Sequence, residues 1–424
     1  MSSNPQTKKD TYYMSAKIFT QDRVMAVTDK PTWHGLENAW MDDGEKIQVI
    51  TRENSKIVLG GKIVRCPLFH QPLITHEESG QIQFKTSGEM VPVIMSADAD
   101  KYWNESEEQD RPCLLVEVWN DADGSQQVTP LCIASESFQV QDPDFFWSIV
   151  ENAFAEIPYR VTCVGTHSNR RKIWLSLELI EKENFIAGGE KFAAHVNIME
   201  GRDKTQRFVI VSSMIRVVCA NTFQWTVQEA HALIAKAGME KVRAGLVKTD
   251  NGFVGKAKHT VNFADYIKAI EKDLPVLMAT PDAFAKVYDK QLIKRKVSKE
   301  QIRKILLGMY AIKTKVKGSD LPSTRTLNQI NGIETLVHTG KGNVGKTMAD
   351  VWNGITEYYT SGDGSGSKDP VKKFQNSEFG TGSRIKTDSF WNLIEDAEIE
   401  RMEKEGQRLL DLAAKHQIDL MVAV

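Results

Sequence analysis

The sequence predicts an α+β protein: a β-rich N-terminal region, a central antiparallel β-meander followed by helices, and a helical C-terminal region. Three observations carry this expectation. Short Val- and Ile-rich runs broken by Gly, Pro or Asp-Gly fill the first 140 residues, two hairpin patterns follow in tandem, and from about residue 260 the apolar period becomes helical.

Taken in order, "KIQVI", "SKIVLGGKIVRCPLF", "QIQFKT", "MVPVIMSA", "PCLLVEVWND" and "QVTPLCIA" read as strands separated by turn residues. Their close spacing favours an antiparallel sheet or small barrel over βαβ units. "DPDFFWSIVENAFAEI" reads as a helix with Asp142 as N-cap and Pro143 at the first helical position. "YRVTCVGTHSNRRKIWLSLEL" and "EKFAAHVNIMEGRDKTQRFVIVSS" are then two hairpins with basic turns, forming a four-stranded meander. A helix through Val227, Ala230, Leu233 and Ile234 follows and ends at Gly238. The next helices have Thr260 or Asn262 and Ser298 as N-caps, and "SKEQ" from Ser298 to Gln301 has capping-box spacing. "YYTSGDGSGSKDP" is a flexible loop around 360–370, and "TDSFWNLIEDAEIERMEKEGQRLLDLAAKH" reads as one long amphipathic helix. These divisions suggest three units: 1–140, 141–345 and 346–424.

A length of 424 residues with 41% hydrophobic and 26% charged residues is that of an ordinary globular chain with a large core. The least polar run, 208–220, is short and contains Arg216, so no membrane span is expected. The N-terminal stretch has lysines but no apolar core for an export signal, which points to a cytoplasmic location. Five scattered cysteines suit reduced thiols better than a disulfide framework. The net charge of −2 conceals sorting: residues 97–160 hold 14 Asp/Glu against 3 Lys/Arg, and 241–320 hold 18 Lys/Arg against 8 Asp/Glu. A basic block suits a polyanionic partner, and an acidic one suits a protein surface. Two solvated surfaces of opposite sign would look the same in sequence.

"HTGKGNVGKTMADVW" contains both G-x-x-x-x-G-K-[ST] (Gly340, Gly345, Lys346, Thr347) and G-x-G-x-x-G (Gly340, Gly342, Gly345). A phosphate loop needs a buried strand before it and a magnesium-holding Asp after a second strand, and neither is evident here. Cys66, His70 and His76 have ligand-like spacing but lack a fourth partner, and Cys219 lies in an apolar run, so no metal ligand, catalytic residue or cofactor is expected. Basic residues are more informative. Arg170, Arg171, Lys172, Arg202, Lys204 and Arg207 fall in hairpin turns near Trp174 and Phe208. Lys294, Arg295, Lys296, Lys299, Arg303 and Lys304 recur at helical spacing. Cations beside flat aromatic faces are what a single-strand groove requires, with Trp174 as the stacking candidate.

"WHGL" (33–36), the paired Gly188 and Gly189, "RVVCANT" (216–222) and "GKTMADVWNGITEYY" (345–359) resemble, in this order along the chain, an uncharacterised domain family of phage/plasmid-like proteins. The chain departs from the family pattern at Lys346, Gly354 and Glu37. The resemblance implies a gene of phages, plasmids or integrative elements, transfers no catalytic residue, and makes Gly345, Thr347, Trp352 and Asn353 a structural helix start. The β-β-β-β-α order with basic hairpins is also similar in architecture to ring-forming single-strand annealing proteins.

The expectation is therefore a nucleic-acid-binding protein, single-stranded DNA favoured, able to self-associate and acting without an enzymatic step. Phosphate contacts would come from Arg170, Arg171, Lys172, Arg202, Lys204, Arg207, Lys294, Arg295 and Lys296. A module that binds a host protein through the acidic block, and a nucleotide hydrolase using Lys346, stand as alternatives.

Overall fold

The fold was taken from a computed structural model of the 424-residue chain. It describes residues 23–27, 49–67, 83–86, 89–92, 113–120, 124–135, 143–182, 185–205, 208–217, 221–239, 256–257, 263–310, 321–360 and 375–418, with single positions at 138, 140, 362, 364, 373 and 420. "WHGL", His70, His76, Arg207, Cys219, Thr260, Asn262 and most of the 360–370 loop lie outside the described residues, as does the side chain of Cys66.

The α+β class is as expected. The main sheet is antiparallel and runs β1-β7-β8-β10-β11-β12, comprising β1 (Val24–Ala26), β7 (Tyr159–His167), β8 (Lys172–Leu179), β10 (Glu190–Gly201), β11 (Phe208–Arg216) and β12 (Asn221–Thr226). Short strands β9 (Phe185–Ala187) and β13 (Lys256–Ala257) add to β10 and β11. A three-stranded sheet joins β2 (Lys62–Pro67), β5 (Cys113–Asn120) and β6 (Gln126–Ala134), and β3 (Gln83–Thr86) pairs with β4 (Glu89–Pro92).

Three local expectations need correction. Residues 55–59 open with a single helical turn, α1 (Lys56–Leu59), rather than a strand, and β2 starts only after Gly60 and Gly61. The meander has a further strand, β12, because "NTFQWT" pairs along β11 from Arg216↔Asn221 to Val211↔Thr226. The expected C-terminal helix is two helices, α8 (Thr381–Ile394) and α9 (Asp396–Lys415). The break at Glu395 is extended (φ −103°, ψ 119°), and its carboxylate pairs with Lys236 at 2.6 Å. Glutamate is a good helix former, so tertiary packing imposes the break. It redirects α9 across α5 (Lys299–Tyr310), where Gly308 faces the Met402 carbonyl and Gly406 faces the Lys304 carbonyl; a Cβ at either glycine would sit 2.0 or 2.1 Å from those oxygens.

Other elements agree with their sequence signals. α2 (Pro143–Ala153) begins with its proline, and α3 (Val227–Lys236) has a full capping box between Thr226 and Glu229. In α5 the Ser298 amide donates to Gln301 Oε1 (3.0 Å) and the Gln301 amide to Ser298 Oγ (3.2 Å), the reciprocal pair expected from "SKEQ". The long helix α4 (Phe263–Val287) contains Pro275 and Pro281 and runs into a π-helical turn at Tyr288–Ile293. α6 (Thr324–Thr339) and α7 (Met348–Thr360) complete the helical layer.

One face of the main sheet packs on these helices. Phe192, Trp225, Phe284, Tyr288, Trp352 and Phe390 form a connected aromatic cluster with ring centroids 5.1–6.2 Å apart. The buried apolar residues around them form one cluster from Met25 to Leu420, so residues on both sides of position 345 share a core. Among the described residues, no helix is long and apolar enough to cross a membrane.

Candidate nucleic-acid interface

The glycine-rich segment 340–347 joins helix α6 to helix α7, not a strand to a helix. Three of its backbone donors converge on one carboxylate of the chain itself. The Asp350 carboxylate accepts the amides of Val344 (3.1 Å), Lys346 (2.9 Å) and Thr347 (2.9 Å), as well as the Thr347 hydroxyl (2.9 Å). The Asp350 amide returns a bond to Thr347 Oγ1 at 3.2 Å, closing a cap on α7. The Lys341 amide donates to Glu357, whose carboxyl is pushed above its ordinary range, burial being the main cause. Converging amides of this kind form an anion nest. Here the anion is the chain's own Asp350, so the phosphate-loop spelling does not produce an open phosphate cradle. Gly342 and Gly345 take φ of 78° and 67°, a left-handed region that favours glycine, and a Cβ on Gly345 would stand 2.0 Å from the His338 ring.

This loop is fastened to the sheet by Arg216, which is buried at the end of β11. Its guanidinium forks onto Glu190 at 2.6 and 2.7 Å and donates to the carbonyls of Lys341 (2.9 Å) and Gly342 (3.2 Å) and to Asn343 Oδ1 (3.0 Å). Glu190 also accepts from the Tyr288 hydroxyl (3.0 Å), which in turn accepts from Asn353 Nδ2 (3.2 Å). Gly188, at φ 59°, lies where a Cβ would be 2.4 Å from Ile293. Arg216 of "RVVCANT", Glu190 just after the paired glycines, Tyr288 and Asn353 of "GKTMADVWNGITEYY" thus meet in one polar network, although they are far apart in sequence.

The same loop carries the basic surface. Lys296 and Thr347 form an antiparallel bridge, the Val297 amide donates to the Lys346 carbonyl (3.1 Å), and the Met348 amide to the Arg295 carbonyl (2.9 Å). This short ladder sets Lys294 and Lys296 beside Lys346, and Lys341 lies in the same loop; all four are exposed. Lys296, Lys341 and Lys346 make no ion pair among the described residues, whereas Lys294 pairs with Asp289 at 2.9 Å and Arg295 pairs with Asp396. The helical face expected for these residues is not formed, because 294–298 connect the π-helical turn to α5 in non-helical conformation. Arg303 is turned inward, to Glu334 (2.8 Å), Asn331 (2.7 Å) and the Leu420 carbonyl (2.6 Å).

The hairpin-turn residues divide differently from expectation. Arg170 and Arg202 are buried around Glu117 of β5: Arg170 forks onto it at 2.8 and 3.0 Å, and Arg202 approaches at 2.9 Å. Arg170 also lies over the Trp119 ring, 4.2 Å from its centroid. Both arginines therefore clamp the three-stranded sheet to the meander instead of facing solvent. The cause is backbone direction, since Ser168, Asn169 and Arg170 are all left-handed (φ 57–60°) and swing the Arg170 side chain inward. Burial, the largest influence, pushes the Glu117 carboxyl up, but the two guanidiniums overcome it and hold the carboxyl below its usual range. Trp174 is fully buried against Gly165 in a cluster with Val24, Cys163, Met199 and Val211, so it presents no face to a base. Lys204 remains exposed, and Arg171 and Lys172 are half-buried at the same hairpin tips.

The two basic groups do not merge. Lys172 lies opposite Gly201 at one end of β10, while Arg216 lies opposite Phe192 near the other. Phe192 and Gly201 are nine residues apart along this strand, a separation of about 30 Å. The signal that sequence reading lacked was the pairing of 295–297 with 346–348, which brings in Lys341 and Lys346. Among the described residues there is no cluster of metal-ligating side chains. No protein-family model matches the chain, and neither a curated protein nor a solved structure matches it.

Proposed function

We propose that the chain is a nucleic-acid-binding protein of a phage, plasmid or integrative element, with single-stranded DNA as its favoured ligand in binding or annealing. The observation that supports this most is the pairing of 295–297 with 346–348, which brings exposed Lys294 and Lys296 next to Lys346, in the loop that also carries exposed Lys341. Four ammonium groups on a fixed backbone can follow successive phosphates by electrostatics alone. The hairpin-tip cations Arg171, Lys172 and Lys204 lie at the far end of the meander and are a separate, secondary contact region. The nucleotide-hydrolase alternative is disfavoured by the occupied amides of 344–347.

Titration of labelled single- and double-stranded oligonucleotides across a salt series tests this. The expected result is preferential single-strand binding whose log K falls with log salt by about 0.7 per phosphate contacted. Lys296→Gln combined with Lys346→Gln should reduce that slope. Absence of binding at low salt, or binding without a salt slope, would remove the proposal.

A further inference from the structure

We infer that Val344 is an apolar wedge that contacts the bases of the bound nucleic acid, while the lysines around it hold the phosphates. This rests on the nucleic-acid reading above and goes further, assigning the base-facing side chain. Val344 is 63% exposed, the highest value among the large aliphatic side chains described as exposed. A solvent-facing valine is ordinary in itself. This one stands at the apex of a loop that has little freedom to turn it away. Its own amide is held by Asp350, and Asn343 is pinned on both sides by donating to the Leu336 carbonyl (2.9 Å) and accepting from Arg216. Left-handed Gly342 and Gly345 bracket the pair. Lys341 and Lys346 flank it in sequence, and Lys296 is fixed beside Thr347.

The occupied nest sharpens the assignment. With the amides of 344, 346 and 347 bonded to Asp350, those three donors are taken from any phosphate, and the side chains the loop offers outward are ammonium groups and one isopropyl. Among the described residues, Val344 is the one exposed large aliphatic side chain of segments 294–298 and 340–347, a small apolar share of the roughly 800 Å² per side that a protein partner would cover. A nucleic acid requires only one aliphatic side chain pressed against or between bases, combined with cations on the backbone.

The test uses the full chain and a single-stranded oligonucleotide carrying 2-aminopurine, whose fluorescence rises when the base is unstacked, with polyglutamate as a polyanion control. In the wild-type protein, binding should raise the fluorescence. Val344→Ser should abolish the rise and weaken binding about tenfold, as expected for loss of one buried aliphatic contact, with the salt slope unchanged. Lys296→Gln with Lys346→Gln should do the reverse, lowering the slope while keeping the fluorescence rise at saturation. Val344 is exposed, so thermal melts of the serine variant should match wild type. If Val344→Ser binds and reports like wild type, or if polyglutamate binds as tightly as the oligonucleotide and also depends on Val344, the wedge is refuted. Wild-type protein that binds no oligonucleotide at any salt refutes instead the reading on which the wedge rests.

Discussion

Replacing Arg216 by methionine removes a side chain that ties the basic loop to the sheet, and the structure allows its cost to be worked out. Removing one partner of a buried ion pair costs about 3–5 kcal/mol, chiefly because the other charge is stranded. Arg216 is fully buried, but the Glu190 side chain is 21% exposed and keeps its bond from Tyr288, so the lower end of that range applies. The carbonyls of Lys341 and Gly342 belong to exposed residues and can be rehydrated, whereas buried Asn343 Oδ1 loses its donor at a cost of about 1 kcal/mol. The total is about 4 kcal/mol. Urea unfolding followed by tryptophan fluorescence measures it, because Trp225 and Trp352 lie in the same core. Amide exchange at 341–347 should accelerate in parallel, and oligonucleotide affinity should fall although Arg216 touches no ligand. Arg216→Lys should recover only part of the loss, since an ammonium cannot fork onto a carboxylate while also reaching three loop oxygens. A methionine variant within about 1 kcal/mol of wild type, with unchanged exchange in the loop, would refute the claim that Arg216 organises this surface.

Four other outcomes follow from the same geometry. Glu117→Gln leaves Arg170 and Arg202 buried without their counter-charge and should cost about 3–5 kcal/mol in urea unfolding, with little change in the salt slope of DNA binding. Because the folded carboxyl of Glu117 lies below its unfolded value, its contribution is complete above about pH 4.5 and is lost as pH falls through the folded value; acid titration of wild type and variant should converge at low pH. Asp350→Ala removes the cap of α7 and the acceptor of three loop amides, and should destabilise by about 1–2 kcal/mol while speeding exchange at 344–347. Gly308→Ala would drive a methyl against the Met402 carbonyl, and separation of α9 from α5 should appear as a loss of more than about 2 kcal/mol in thermal or urea unfolding.

What was legible in the sequence was what is encoded locally. The hairpins around 168–171 and 201–205, the capping box at Ser298 and Gln301, and the proline-led start of α2 each depend on residues within a few positions of one another. The failures were non-local. Arg170 and Arg202 look like ordinary basic turn residues until Glu117, 53 positions before Arg170 and inside the acid-rich block 97–160 of the sequence, is seen between them. Trp174 alternates correctly as a strand residue, but alternation does not say what lies over either face of a sheet. The split at Glu395 violates helix propensity and is made by the contacts of α8 and α9. The candidate interface was half visible. Lys294 and Lys296 stood out by charge, yet their partnership with Lys341 and Lys346 exists only because two segments about fifty residues apart zip together.

The carboxylate of Asp350 inside its own chain's nest gives the loop a property that an open cradle would lack. A loop shaped by a diffusible anion takes its form only when that anion is present, and changes with the supply of phosphate or nucleotide. This one carries its counter-ion covalently, at an effective concentration no solute can match. Its lysines and Val344 are therefore displayed in the same arrangement whatever the metabolic state of the cell, and free nucleotides should be poor competitors for it.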